Sequence, residues 1–280
     1  MKYKYDTLSF MLRLLVKAAA ITTASIILFI IGYILIRGIP YLTPSLFEWT
    51  YTSENVSLTP AFINTIILTV LALLISAPLG VFAAIYLTEY AKQGSKLVKL
   101  TRMTAETLSG IPSIVYGLFG MIFFVLTLGL GHPCSLIAGT FTLAIMILPL
   151  IIRTTEEALL SVPISYREGA FGLGAGRLRT VFSVILPAAI PGILSGIILA
   201  VGRIVGETAA LIFTAGTLPK IPNSLMDSTR TLSVHMYSLS SEGLYVNQSY
   251  ATAVVLLILV TSINYLSTLI AKKMTGGSNG

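Results

Sequence analysis

The sequence predicts an all-α membrane protein with six transmembrane helices. Three observations carry that expectation. Of the 280 residues, 55% are apolar and only 10% are charged, against roughly 25% charged in an ordinary soluble domain. The mean hydropathy is +0.89, too high for a surface that has to face water. The apolar residues are also gathered into charge-free stretches of spanning length, and the lysines and arginines collect in alternate connections between them.

A spanning helix needs about 20 apolar residues, rising ~1.5 Å each, to cross ~30 Å of hydrocarbon. Six segments qualify: residues 18–36, 61–87, 107–130, 135–152, 188–215 and 250–271. The first follows Lys2, Lys4, Arg13 and Lys17, as a secretory signal would. Its nineteen charge-free residues exceed a signal core, and no small-x-small cleavage pattern precedes Arg37, so it is read as a retained span. The third and fourth share one charge-free run, 107–152, which is too long for a single helix. The stretch from Gly129 to Pro133, with His132, divides it into a tight hairpin.

Orientation follows from the basic residues, which are in excess on the cytoplasmic side. The N-terminal tail, the 88–106 connection (Lys92, Lys96, Lys99, Arg102), the 153–187 connection (Arg153, Arg167, Arg177, Arg179) and the C-terminal Lys272 and Lys273 together hold fourteen. The opposite side holds Arg37, Lys220 and Arg230, and Arg203 lies within a span. Both termini are therefore expected in the cytoplasm. This rule, with anionic lipid nearby, explains the net charge of +7 and leaves no reason to infer nucleic-acid binding.

Other classes find little support. The single Cys134 excludes an internal disulfide and a cysteine-based metal cluster. His132 and His235 are far apart, without carboxylates at ligand spacing, and read as loop residues. Glu156 and Glu157 are adjacent and so diverge on a helix, which leaves no catalytic pair within a span. No fixed-period repeat or soluble domain is visible. The outer loop 217–249 is polar and long enough for a short surface helix or docking surface, and the 275–280 tail reads as disordered.

The thirty-five residues from Arg153 to Pro187 are more organised than a simple bundle needs. Pro163 closes one helical segment. Ser165 with Glu168 reads as a capping box that starts a new helix near Tyr166. That helix presents Arg167 and Glu168 to water and then Gly169, Ala170, Gly172, Gly174 and Gly176. Such a glycine-rich face makes a poor lipid-facing surface but allows close approach by a partner protein. Gly172-Leu173-Gly174-Ala175-Gly176 is a weak nucleotide-loop signal, because no G-x-x-x-x-G-K-[ST] occurs and no strand precedes it.

The run Glu168-Gly169-Ala170-Phe171-Gly172-Leu173-Gly174, followed by Val184-Ile185-Leu186-Pro187, resembles the EAA motif of ABC-importer permeases. Gly169 stands where that motif has its first alanine. Glu168, Ala170, Gly174 and Pro187 remain in register. The resemblance implies a coupling helix, formed by Glu168, Gly169, Ala170, Gly174 and Pro187, that docks on a separate ATPase.

The fifth segment contains Arg203 and Glu207, four residues apart and so expected on one helical face. From residue 188, Arg203 lies roughly 22 Å along the span, beyond the midplane. Two readings stay open. The pair neutralises itself as polar glue, or it forms an anion relay in which Arg203 binds two oxyanion oxygens and Glu207 competes to limit residence. Gly192, Gly196 and Ala200, and separately Gly202 and Gly206, form small-residue ridges suited to internal packing or to an interface between two permeases.

Gly202-Arg203-Ile204-Val205-Gly206-Glu207-Thr208-Ala209-Ala210 is similar to the G-R-x-x-G-E-T-A segment of the phosphate-specific permeases PstA and PstC. Residues 109–120, Ser109-Gly110-Ile111-Pro112-Ser113-Ile114-Val115-Tyr116-Gly117-Leu118-Phe119-Gly120, are similar to their G-I-P-S-I-V-x-G-L-F-G stretch. The match runs from about Leu58 to Ala271. Short length without an extended N-terminal insert favours the PstA type.

The resemblance implies the MetI-like ABC permease fold, with 1–60 as tail, first span and outer loop, 61–271 as the permease domain with its 153–187 coupling loop, and 272–280 as a flexible tail. It also implies transport of inorganic phosphate through the cytoplasmic (inner) membrane, with Arg203 and Glu207 in the pathway. The implied partners are a PstC-like permease, a PstB-like ATPase dimer that uses the ATP, and a PstS-like phosphate-binding protein outside. No cofactor is expected on this chain. The alternatives are a permease for molybdate or sulfate and, in a different class, a stand-alone channel or secondary transporter, which would need no coupling loop.

Overall fold

The structure is a computed structural model that describes residues 7–276 apart from Gln93 and His132. Lys2, Lys4, His132 and the last four tail residues therefore lie outside the described residues. Those described are 77% helical with no strand. Among the described residues five helices are long and apolar enough to cross a membrane, and counting a sharply bent pair as one span brings the number to six.

α1 (Thr7–Gly38) is 32 residues long, about 48 Å at 1.5 Å per residue. It thus starts well before the predicted span and carries Arg13 and Lys17 past one edge of the hydrocarbon. It is apolar all round, packs chiefly on α11 (Val246–Gly276), and leaves nearly every large side chain exposed, as a lipid-facing helix does.

α5 (Leu136–Leu160) is the central helix, packed between α2 (Thr59–Ile85) and α8 (Leu186–Val205). Leu68 and Ala72 from α2, Leu143, Ile147 and Ile151 from α5, and Ala200 and Ile204 from α8 form the main core. Close approach depends on glycine. A Cβ on Gly80 would lie 2.6 Å from Ile151 Cγ2, and one on Gly192 would lie 2.7 Å from Ala158 Cβ. Gly196 is pressed equally hard against Thr154. The ridge Gly192-Gly196-Ala200 is therefore used for packing within this chain. Hydroxyls buried along α2 bond their own helix: Thr65, Thr69 and Ser76 each donate to the carbonyl four residues earlier, so these hydroxyls are not stranded.

The predicted third span is broken. The chain instead forms α3 (Lys96–Ser109) and α4 (Ser113–Gly120), the latter continuing as a π-turn over Met121–Thr127, with the two arms bent by 99°. Pro112 supplies the reason, since it disfavours helix at Ile111 and cannot donate a backbone N–H. Much of the 88–106 connection, read as a loop, is thus the amphipathic helix α3, tied to α5 by an ion pair between Arg102 and Glu156. The hairpin before α5 lies where predicted, with Gly129 and Gly131 at φ +66 and +89.

The fifth span is displaced rather than shortened: α8 continues back through a π-turn to Arg177, so the apolar run covers Arg177–Val205 instead of 188–215. α8 ends at Val205, and a separate α9 (Ala209–Thr214) follows. The outer loop is exposed over much of 217–227 and 240–247, but its middle is drawn inward. Asn64 donates to the carbonyls of Lys220 and Arg230 at 2.9 and 3.2 Å, and Thr65 accepts from the Leu232 N–H at 2.9 Å, so α2 draws this segment down onto the bundle. α10 (Leu232–Ser241) is accordingly buried along Leu232–His235 and packs on α11. Arg230, expected among the outer loop charges, is only 4% exposed, with its guanidinium over the Tyr51 ring at 4.9 Å.

His235, expected in a loop, is fully buried on α10 and meets Tyr51 edge-on. Burial, and then the charge of Arg230, push its pKa down to about 3. The unfolded imidazole protonates near its ordinary value of 6.5, so between that pH and about 3 the unfolded chain binds a proton that the fold refuses, and stability falls as pH falls. His235→Phe is expected to flatten that acid-side loss in thermal unfolding of the detergent-solubilised protein. An unchanged pH profile would remove His235 as its source.

Candidate functional site

Two regions hold the residues singled out by sequence. The first lies at the end of α8. Gly206 caps the helix and exposes it to a turn, so Arg203 stays in the last helical turn while Glu207 leaves it. The expected common helical face does not exist. Glu207 is 8% exposed and folds toward α9, where its Oε1 accepts the Ala210 N–H at 3.0 Å and its carbonyl accepts from the Ser233 hydroxyl. Among the described residues no ion pair joins Arg203 to any carboxylate. Arg203 is half-buried, within electrostatic range of the Tyr116 phenol. A Cβ on the neighbouring Gly202 would meet nothing within 4 Å. The result is a guanidinium in a membrane span, beside open space, with no carboxylate of its own.

The two segments that resemble phosphate permeases are in contact. A Cβ on Gly117 would lie 2.8 Å from the Ala210 Cα, and one on Gly120 would lie 2.8 Å from Thr214 Cγ2. α4 therefore lies directly on α9 through its two glycines. Tyr116, on the same turn, is buried and donates to the Leu108 carbonyl at 2.8 Å, across the Gly110–Pro112 bend. The tyrosine braces the bend and the glycines seat it. Neither role shows in the sequence, because the break lies inside an apolar run.

The second region is the loop between α5 and α8. α6 (Ile164–Gly172) begins directly after Pro163, with no side-chain cap, so Ser165 is inside the first turn and the expected capping box does not form. The C-terminal end is better determined. The Ala175 N–H bonds the Ala170 carbonyl at 3.0 Å and the Gly174 N–H bonds the Phe171 carbonyl at 2.9 Å, with Gly174 at φ +80. This is a Schellman ending, and it gives Gly174 a reason: a left-handed residue at that position favours glycine. Gly176 caps α7 (Arg177–Thr180), which runs through a π-turn at Val181–Ile185 into α8, with Pro187 in the first turn of α8.

Glu168 and Gly169 face solvent and Ala170 is half-buried. Cβ atoms on Gly169, Gly172, Gly174 or Gly176 would meet nothing within 4 Å, so this chain's packing does not explain these glycines. Around them Leu173 is 91% exposed, and Ile164, Tyr166, Phe171 and Leu178 are also bare. Exposed apolar side chains gathered on one short segment are what an interaction site presents.

Arg167 does not face water as expected. Its Nη2 donates to Glu89 Oε1 at 2.7 Å and to the Leu159 carbonyl at 2.9 Å, and its Nη1 donates to the Val162 carbonyl at 2.9 Å. One side chain thus pins α6 to the ends of both α2 and α5. Sequence reading missed this latch, because Glu89 lies 78 residues away.

A sequence profile of the family described as "binding-protein-dependent transport system inner membrane component" matches residues 76–276. The chain belongs to this family. Among the permease's relatives, the probable ABC transporter permease protein YqgI of Bacillus subtilis is 33% identical over 277 residues, covering 90% of this chain and 92% of that one. The phosphate transport system permease protein PstA of Haemophilus influenzae is 33% identical, covering 83% of each. A structure of the MetNI methionine ABC transporter in an inward-facing conformation superposes with a TM-score of 0.62 at 21% identity, covering 87% of this chain and 97% of that one. The permease is thus PstA-type in sequence and has the MetI-like fold.

Gly117→Val drives side-chain atoms into the α9 backbone. It is expected to lower stability by about 1–3 kcal/mol, read as an earlier thermal transition, and to reduce transport by the assembled importer. Arg167→Ala removes charge-assisted bonds worth about 1.5–3 kcal/mol from a largely buried pair. It is expected to loosen the loop, read as faster amide exchange over residues 164–172, with α2 and α5 protected as before.

Proposed function

We propose that this permease forms half of the membrane pathway of an ATP-driven importer of inorganic phosphate. The observation that carries the proposal is the unpaired Arg203. A guanidinium offers a planar fork that matches two oxygens of a tetrahedral oxyanion, and its attraction is strong where water is scarce. Release is also required, so a single cation suits a pathway better than a closed cage of charges. The name of the Haemophilus influenzae relative supports phosphate as the oxyanion.

Glu207 acts in this reading as a positioning residue. By capping Ala210 it holds the turn that leaves Arg203 at the end of α8. The open ridge Gly202-Gly206 faces the pathway or a second, homologous permease. The α6 surface, with Glu168, Gly169 and Ala170, docks on an ATPase subunit on the cytoplasmic side, where both termini also lie. Gly174 ends that docking helix, and Pro187 starts the span that receives its motion. ATP is hydrolysed on the partner pair, and a phosphate-binding protein delivers cargo from outside. The exposed apolar surface of α6 and α7 favours this arrangement over a stand-alone channel, which has no use for it.

Arg203→Ala is expected to lower phosphate uptake by the assembled importer at least tenfold at normal protein abundance, with Arg203→Lys retaining part of it. Undiminished uptake by the alanine variant rejects the role of Arg203. Competition by molybdate or sulfate equal to that by phosphate would move the cargo to another oxyanion.

A further inference from the structure

On the face of the molecule that carries α6, a cavity of about 480 Å³ opens between the end of α2 and the loop. Glu89, Tyr90, Lys92, Arg167, Arg177 and Thr180 contribute its polar lining. Arg167 and Glu89 neutralise each other. That leaves Lys92 and Arg177, neither of which has an ion pair among the described residues. The Arg177 guanidinium is held over the Tyr90 ring, 5.9 Å from its centroid. Among the other lining residues, the Thr180 Oγ1 and the Tyr90 hydroxyl are both buried without a hydrogen-bond partner, and Thr180 as a whole is only 1% exposed.

Two unneutralised cations and two unsatisfied hydroxyls need a ligand that is anionic and rich in acceptor oxygens. Buried hydroxyls without partners are unusual in a folded protein, and here two border one basic cavity. We infer that this cavity binds a phosphate group, with Lys92 and Arg177 supplying the charge and Thr180 and Tyr90 supplying neutral donors. The group comes from one of two sources: free inorganic phosphate, or the headgroup of an anionic phospholipid at the membrane edge, where basic pockets between helices take such headgroups. Either ligand would bridge the end of α2 to α7 beside the Arg167 latch. Occupancy would therefore stiffen the attachment of α6, a point of control separate from Arg203.

The test uses the importer assembled with its partner subunits. All preparations carry Arg203→Ala, so that phosphate held in the membrane pathway does not contribute and the outcome bears on this cavity alone. In nanodiscs of phosphatidylcholine, equilibrium binding of labelled inorganic phosphate is measured; in nanodiscs containing phosphatidylglycerol, retained lipid is counted by native mass spectrometry. Added Lys92→Ala with Arg177→Ala is expected to lower occupancy of one ligand at least tenfold, and Lys99→Ala, outside the cavity, to leave it unchanged. Thr180→Val, which keeps the charges and the shape, is expected to weaken the same ligand several-fold. The ligand that responds identifies the source. Binding of neither ligand, or equal binding by the double variant, overturns the inference.

Discussion

The functional half of the molecule depends on the approach of α4 to α9 at Gly117 and Ala210. Any side chain at Gly117 would enter the α9 backbone, so the contact fixes where α9 starts and how the chain leaves α8. Because α9 is held there, Glu207 reaches its N-terminal Ala210 N–H and cannot return to Arg203. The isolation of the guanidinium is thus a consequence of helix packing two turns away. Tyr116 completes the arrangement by bracing the bend that lets α4 reach α9 at all.

The loop between α5 and α8 is held by a different kind of force. Few apolar contacts fix α6 itself, whose residues are mostly exposed. Its position comes from one guanidinium that bonds the Glu89 carboxylate just past α2 and the Leu159 and Val162 carbonyls at and just past the end of α5. Just beneath, Leu159, Val162, Val181 and Ile185 form a compact apolar cluster. A displacement of α6 is therefore passed to α2 and α5 together, the same two helices that form the centre of the bundle.

The spans were legible because lipid imposes one rule on every segment, and charge-free runs of sufficient length report it directly. The breaks were less so. Pro112 and Gly206 lie inside apolar runs, and hydropathy does not register a bend that keeps both arms apolar. Four-residue spacing put Arg203 and Glu207 on one face only if the helix continued, which Gly206 prevents. Ser165 with Glu168 fitted a capping pattern, yet Pro163 let the helix begin earlier. Long-range partners such as Glu89 for Arg167, or Asn64 for the Arg230 carbonyl, leave no local trace in a sequence. Gly174 of the loop, by contrast, obeys a backbone requirement confined to a few residues, the left-handed position that ends α6.

Glycine serves two opposite ends in this chain, and the space around each one separates them. At Gly80, Gly117, Gly120, Gly192 and Gly196 a Cβ would collide with a neighbouring helix, so these glycines are spent on the chain's own packing. At Gly169, Gly172, Gly176 and Gly202 nothing lies within 4 Å, and none has a positive φ that would demand glycine. A helix gains roughly 0.5–1 kcal/mol from alanine over glycine at an interior position, so Gly169 within α6 and Gly202 beside Arg203 carry a cost that this chain's own packing does not return. The open space beside them is what the proposed docking at α6 and the proposed pathway at Gly202 would use.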